Sequence, residues 1–404
     1  MVLHSRLTAL TLLLGGLPLA ASAQLANRDD PHTITTAVPI LTLSPDARGS
    51  ALGEAGAATS PDANAAFYNP GKLGFVPYKY SVSPSYSPWL RAVTDDMSLQ
   101  SIAGYGKIGE RSALSASLLY FNLGSIDYTT AQNQPYGSFN PKEFALTVSY
   151  GQKLSENFGV GVSARYVRSN LVGSYGNNDA QSGNAAAVDL GAYYSKGLTV
   201  GTGVYNLALG ASISNIGNKI VYRDPQEPSF LPTNLRLGTA ITREIDQYNK
   251  ITVVFDANKL LVPSPYYKDG VAVNDPDVMA ENSARAQKGI ISAALGSFND
   301  APGGFSEELK EINLSAGAEY NYNDLLMARV GYFYENPIKG DRQYLSLGLG
   351  VRYQVFGIDG TYLVPNAKAN PLSQTIRVSL HFNFNKLEEA FRDNGSGGDT
   401  TPID

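Results

Sequence analysis

From about residue 77 to residue 384 the chain is built of segments of about ten residues in which apolar and polar side chains alternate, the period of a β-strand with two different faces. The last segment is the clearest. Ile376, Val378, Leu380, Phe382 and Phe384 fall on one face, and Thr375, Arg377, Ser379, His381 and Asn383 on the other. Between 343 and 353, Leu345, Leu347, Leu349 and Val351 oppose Ser346, Gly348, Gly350 and Arg352; Phe144, Leu146, Val148 and Tyr150 repeat the pattern earlier. The alternation predicts strands near 77–88, 97–108, 111–123, 142–154, 157–170, 185–196, 203–216, 233–243, 250–261, 311–321, 325–335, 343–354, 356–364 and 373–384. That is about fourteen, an even number as single-chain bacterial barrels have.

Every second connection is short: Gly109-Glu110, Ser155-Glu156, Asn323-Asp324 and a corner at Phe356-Gly357. The alternate ones, near 124–141, 171–184, 217–232 and 262–310, are long and polar. Short periplasmic turns with long extracellular loops are the habit of outer-membrane barrels, and this order places both termini in the periplasm. A soluble β-sandwich would also alternate, but its strands average five or six residues, whereas about ten are needed to cross a bilayer at a tilt. Aromatic pairs at segment ends, such as Tyr120-Phe121 and Tyr193-Tyr194, suit interfacial girdles. The expected fold is therefore an all-β transmembrane antiparallel barrel over 77–384.

One loop breaks the pattern. Asp275-Pro276 offers a helix cap and first position, and 278–298 has helical composition apart from Gly289 and Gly296. Ile291, Leu295 and Phe298 make one apolar face, expected to pack over the barrel mouth. After Phe384, residues 385–404 are too polar and Gly-rich to fold alone and read as a flexible periplasmic tail.

Ahead of the strands, Ser44 to Leu73 reads SPDARGSALGEAGAATSPDANAAFYNPGKL. Its crowd of Gly and Ala lets backbone approach backbone, as a segment packed inside a narrow enclosure must, so 24–76 is expected to supply a lumen plug. Met1 to Ala23 carries Arg6, an apolar run around Leu7–Leu14 and Ala21-Ser22-Ala23, the three parts of a cleaved signal peptide, with a mature start at Gln24. Beyond it no run approaches the ~20 apolar residues of a spanning helix.

Composition removes function classes. The chain of 404 residues has net charge -5 and no nucleic-acid footprint, and with no cysteine it has neither a disulfide nor a thiolate site. Tyrosine at 25 and glycine at 40 suit a β-rich chain. Of three histidines, His4 is in the signal, His32 precedes the plug, and His381 shares a polar face with Ser379; none builds a triad, and no catalytic residue is assigned. GLTVGTGV at 197–204 lacks a P-loop lysine, and Asp95-Asp96, Asn299-Asp300 and Glu307-Glu308 read as solvated loop charge without calcium-loop spacing. No cofactor or metal is expected. By strand parity Arg165, Asp189, Arg236, Asp256, Glu319, Arg329, Arg352, Asp359 and Arg377 point into the lumen, where near-cancelling signs suggest ion-paired scaffolding around a plug carrying Asp46, Arg48, Glu54 and Asp62. The loop GNKIVYRDPQEPSFLPTN is stiffened by Pro225, Pro228 and Pro232, and its Phe230-Leu231 tip is expected to be an exposed partner anchor.

The small-residue run closing on Phe67-Tyr68-Asn69-Pro70 just before the first strand resembles the start of FadL-like outer-membrane barrels. With Asp46-Ala47-Arg48, LPTNLRLG at 231–238, GGFSEELKEINLSAGAEY at 303–320 and RVGYFYENPIKGDRQYLSLGLGVRY at 329–353, the chain is similar to the PorV branch of that superfamily, from the type IX secretion system. Gly71 departs from it, since FadL-like proteins commonly have Ala after Asn-Pro. The resemblance implies a non-enzymatic outer-membrane protein that associates with a SprA-type translocon, receives secreted proteins through their C-terminal signal domains and delivers them to a surface attachment complex. A FadL-like transporter of hydrophobic small molecules and an outer-membrane enzyme are the other classes. An apolar lumen pocket would mark the first and a nucleophile beside a base the second.

Overall fold

The computed structural model describes residues 32–90, 94–129, 132–171, 181–222, 227–366 and 375–385. Its strands are β1 Tyr80–Pro88, β2 Met97–Lys107, β3 Ser112–Leu123, β4 Ile126–Thr129, β5 Pro135–Phe139, β6 Lys142–Lys153, β7 Phe158–Asn170 and β8 Gly183–Val200. They continue with β9 Gly203–Gly217, β10 Asn234–Glu244, β11 Asn249–Leu260, β12 Ile312–Tyr322, β13 Leu326–Tyr334, β14 Gln343–Tyr353, β15 Phe356–Pro365 and β16 Ile376–Phe384. All but β4 and β5 close into one barrel of 14 antiparallel strands, each beside its neighbour in sequence, with β1 sealing against β16. β4 and β5 form a separate hairpin inside the 124–141 connection, which had read only as polar loop.

The two faces follow the alternation. On β14, Leu345, Leu347, Leu349 and Val351 are exposed to the surroundings, while Ser346 is fully buried inside. An exposed apolar band is what a bilayer requires of the outside of such a wall. Strand limits agree with the alternation to within a few residues. Asn323 and Asp324 both take positive φ, 54° and 51°, the left-handed pair of a tight hairpin. The corner expected at Phe356-Gly357 lies instead at Gln354-Val355, with Gln354 at φ 53°, and both residues named earlier belong to β15.

Residues 32–76 run through the lumen. At the long-loop end the His32 N–H donates to Ile338 O at 2.8 Å, its ring stacks on Tyr267 with centroids 3.4 Å apart, and the Ala37 N–H donates to Phe230 O at 2.8 Å. At the short-turn end Phe75 meets Tyr193 edge to face at 5.1 Å, and the Lys153 ammonium stands 5.1 Å over its ring. Both termini, expected on one side, lie outside the described residues. β16 ends on the short-turn side, as expected, but the first described residue stands among the long loops. The signal segment 1–23 and the tail after Asn385 lie outside the described residues.

Candidate functional site

The plug is shaped by local chemistry. Asp46 caps the short helix Ala47–Ala51 by accepting from the Gly49 N–H at 3.0 Å, and its other oxygen accepts from the Tyr68 hydroxyl at 2.7 Å. Glu54 accepts from the Ser44 N–H at 2.8 Å and from the Tyr344 hydroxyl of β14 at 3.1 Å. Asn69 donates to Ala57 O at 3.1 Å and Ala192 O at 2.9 Å while accepting from the Gly71 N–H at 3.0 Å. Each of these side chains thus ties a bend of the plug either to itself or to the wall.

The wall answers with glycine. Gly151, Gly161 and Gly191 stand in register on β6, β7 and β8, and Pro70-Gly71 rests on that row; a Cβ at Gly161 would meet Pro70 O at 2.3 Å. A Cβ at Gly71 would stand 3.0 Å from Gly191 O and from Tyr193 N, a tight fit against the backbone of β8. Opposite, Gly53 takes φ 67° against the backbone of Tyr332. Glycines recurring at inward positions of the strands were the available signal for where the plug touches, and parity alone did not reveal it.

All nine lumen charges point inward. Arg329 sits at the centre of a web, 2.6 Å from Glu319 and 2.9 Å from Asp359. Glu319 also holds plug Arg48 at 3.0 Å, which pairs in turn with Asp62 at 3.0 Å. Asp359 takes Arg352 at 2.7 Å and His381 at 2.7 Å. Across the barrel Arg165 pairs with Asp189 at 2.8 Å, and Asp256 accepts from the plug N–H groups of Gly56 and Ala57 at 2.7 and 2.9 Å. Arg236 donates to Glu54 O at 3.4 Å and lies over the Tyr68 ring. Arg377 is 2 % exposed, and its Nε and Nη1 find no partner. Ser379, on the same polar face as His381, accepts from the Ala47 N–H at 2.8 Å and shares a hydrogen bond with Ser85 at 2.7 Å. It pins the plug, while His381 faces Asp359.

The long-loop end carries a second charged cluster, buried where solvated loop charge is expected. Glu307 and Glu308 are 3 % and 4 % exposed. Lys259 on β11 reaches Glu308 at 2.9 Å and Glu311 at 2.7 Å; Lys339, from the β13–β14 loop, reaches Glu307 and Glu311. Burial pushes the Glu307 carboxyl upward, but the donors on it, Lys339, the Gly303 N–H and Tyr267, hold it below the usual carboxylate range. These contacts clamp the β11–β12 loop, whose helices Pro276–Gln287 and Ile290–Gly296 are divided at Gly289.

Two expectations about that rim are corrected. Phe230 and Leu231 are not an exposed tip: they are 8 % and 1 % exposed, Phe230 packing with Val262 and Ala293 under the Lys219 ammonium, 4.5 Å from its ring. The apolar pair is folded down onto the rim, where burial is more favourable than display in water. Conversely Ile291, Leu295 and Phe298 do not pack over the mouth. They are 64 %, 72 % and 48 % exposed, because Ala293 is the buried residue of that helix.

A closed strand wall, an apolar outer band and a lumen filled by the chain's own N-terminal segment define a plugged outer-membrane β-barrel. The family described as "Type IX secretion system protein PorV" matches residues 26–267, more than half of the chain, and the chain belongs to that family. No curated protein matches the sequence. Among solved structures, the Pseudomonas putida toluene transporter TodX is similar at 11% identity and a TM-score of 0.48, over 88% of this chain and 100% of that one. A Pseudomonas aeruginosa FadL homologue is similar at 12% identity and TM-score 0.42, over 88% and 100%. The Ralstonia pickettii toluene transporter TbuX is similar at 12% and 0.42, over 86% and 99%.

Proposed function

We propose that this chain is the adaptor of a type IX secretion system, binding the SprA-type translocon and the C-terminal signal domains of secreted proteins and passing them to a surface attachment complex, without catalysis. The family match carries this reading. The geometry supports it. The lumen is occupied by the chain's own plug and lined with paired charges, which suits a scaffold better than a conduit for apolar solutes. The apolar side chains left uncovered on the outer loop, Ile291, Leu295 and Phe298, are the partner-contacting face in this reading, replacing Phe230 and Leu231.

The test is a Leu295→Asp variant, checked first for normal barrel assembly and then for co-purification with the translocon and release of cargo. Burying an aspartate in an apolar contact should weaken association by about thirtyfold or more. Wild-type co-purification and secretion together would remove this face from the mechanism.

A further inference from the structure

The short helix Phe305–Lys310, which closes the β11–β12 loop, divides its side chains three ways. Glu307 and Glu308 are buried, Ser306 and Lys310 are exposed polar groups, and Phe305 and Leu309, one turn apart on the same face, are 72 % and 52 % exposed. The buried side shows where the apolar side stands. Glu308 holds Lys259 at 2.9 Å, and Lys259 is in register with Leu235 on β10 and with Ile312 on β12. Residues two apart on a strand share a face, so Lys259 belongs with Val253 and Phe255, both exposed, on the outside of the wall, opposite inward Asp256. An outward lysine at the top of the apolar band is nevertheless only 7 % exposed, because Glu308 and Glu311 cover it.

The helix therefore rests against the outer side of the rim. Leu309 stands three residues before Ile312, the first residue of β12, from which the outward column Ile312, Leu314 and Ala316 descends into the lipid-facing band. We propose that Phe305 and Leu309 dip into the outer leaflet of the bilayer and carry the lipid-facing surface of β11 and β12 upward onto the loop, with Ser306 and Lys310 left at the level of the head groups. Acids toward the wall, apolar groups on the next sector and polar groups on the third is the division that a helix lying in a membrane interface requires. Lipid is the occupant because the pair continues a surface that already faces lipid. The ion pairs hold the helix from one side and the leaflet from the other, which fixes the height of the loop above the membrane. This contact rests on the barrel lying in a membrane and is independent of the secretion reading.

The chain has no cysteine, so a single one can be labelled without background. Phe305→Cys, Leu309→Cys and Ser306→Cys variants of the full-length protein are labelled with an environment-sensitive fluorophore in phosphatidylcholine nanodiscs. Each is quenched in turn by phospholipid carrying a nitroxide high on its acyl chain and by aqueous iodide. Positions 305 and 309 should be quenched by the lipid nitroxide about threefold more than position 306, and by iodide about threefold less, as burial of one face in the leaflet implies. Iodide quenching at 305 and 309 equal to that at 306, without added quenching by lipid, overturns the assignment and leaves the pair open to a protein partner. The unmodified chain gives an answer that needs no variant: a phospholipid with a diazirine near its glycerol should label residues 303–311 on irradiation. Label on β11 and β12 with none on that segment overturns the assignment as well. Neither readout involves a translocon or cargo, so the secretion reading can fail without moving it.

Discussion

The two ends of the lumen use charge in opposite ways. Toward the short turns, Arg48, Asp62, Glu319, Arg329, Asp359, Arg352 and His381 form one connected web that joins plug to wall. Toward the long loops, Lys259 and Lys339 grip three glutamates of the β11–β12 loop and join loop to wall. Buried pairs are poor sources of net stability but are severe to break, so each cluster specifies a position more than it adds stability. What is positioned differs: a seal at one end, a presenting surface at the other.

The comparison is broken most directly at Arg329. Arg329→Met leaves Glu319 and Asp359 short of their central partner and should destabilise the barrel by about 3 to 5 kcal/mol, read from urea unfolding in detergent or lipid. A stability within error of wild type would show the web to be ornamental. Next comes the outer wall, common to both ends. Leu347→Arg places charge on the lipid face at the middle of β14 and should cost about 2 to 4 kcal/mol, seen as lost assembly in bilayers but not as lost solubility in detergent. Its neighbour Ser346 is fully buried and donates to Ala51 O at 3.2 Å, so substitution there acts through the plug.

Smaller and local effects belong to the outer cluster. Lys339→Met should raise limited proteolysis of the β11–β12 loop about tenfold, through local opening, and leave the global unfolding midpoint in place. A fall in the global midpoint equal to that of Arg329→Met would erase the distinction between the ends. The least effect is acid sensitivity of the same loop. Glu307 is held below the usual carboxylate range, so its contribution is complete above an unfolded value of about 4.3 and fades only as pH falls through its lower folded value. Proteolysis of the loop should therefore be flat from neutrality down to about pH 5 and rise below about pH 4.3. A rise near pH 6 would contradict that sign.

The strands were legible because alternation reports which of two solvents each residue meets, and it does so within a single segment. It fails where the partner is remote. Nothing near Glu307 and Glu308 in sequence announces Lys259 or Lys339, and nothing near Phe230 announces Val262 and Ala293. β8 runs on past its expected end at 196 because Gly197–Val200 pairs with Gly203–Asn206. The β9 bulge was hidden for another reason. Asn215 takes φ 62° and its amide serves Arg165 and Pro232 O, contacts that no period describes. In the plug, Asp46, Asn69 and Pro70 belong to the motifs that carry the resemblance, whereas buried Lys72, which donates to Gly56 O and Thr59 at 2.9 Å, carried no mark.

An even number of strands returns a chain to the face from which it set out. The pass of residues 32–76 down the lumen adds one traverse that the strand count omits and makes the tally odd. His32 and Asn385 consequently stand on opposite faces of the barrel, the first beside Ile338 and the second beside Lys79. The plug is thus a single covalent rod reaching both compartments: a force or a ligand at its outer end and one at its inner end act on the same piece of backbone, and impermeant labels placed beside the two residues would be reached from different sides of the membrane.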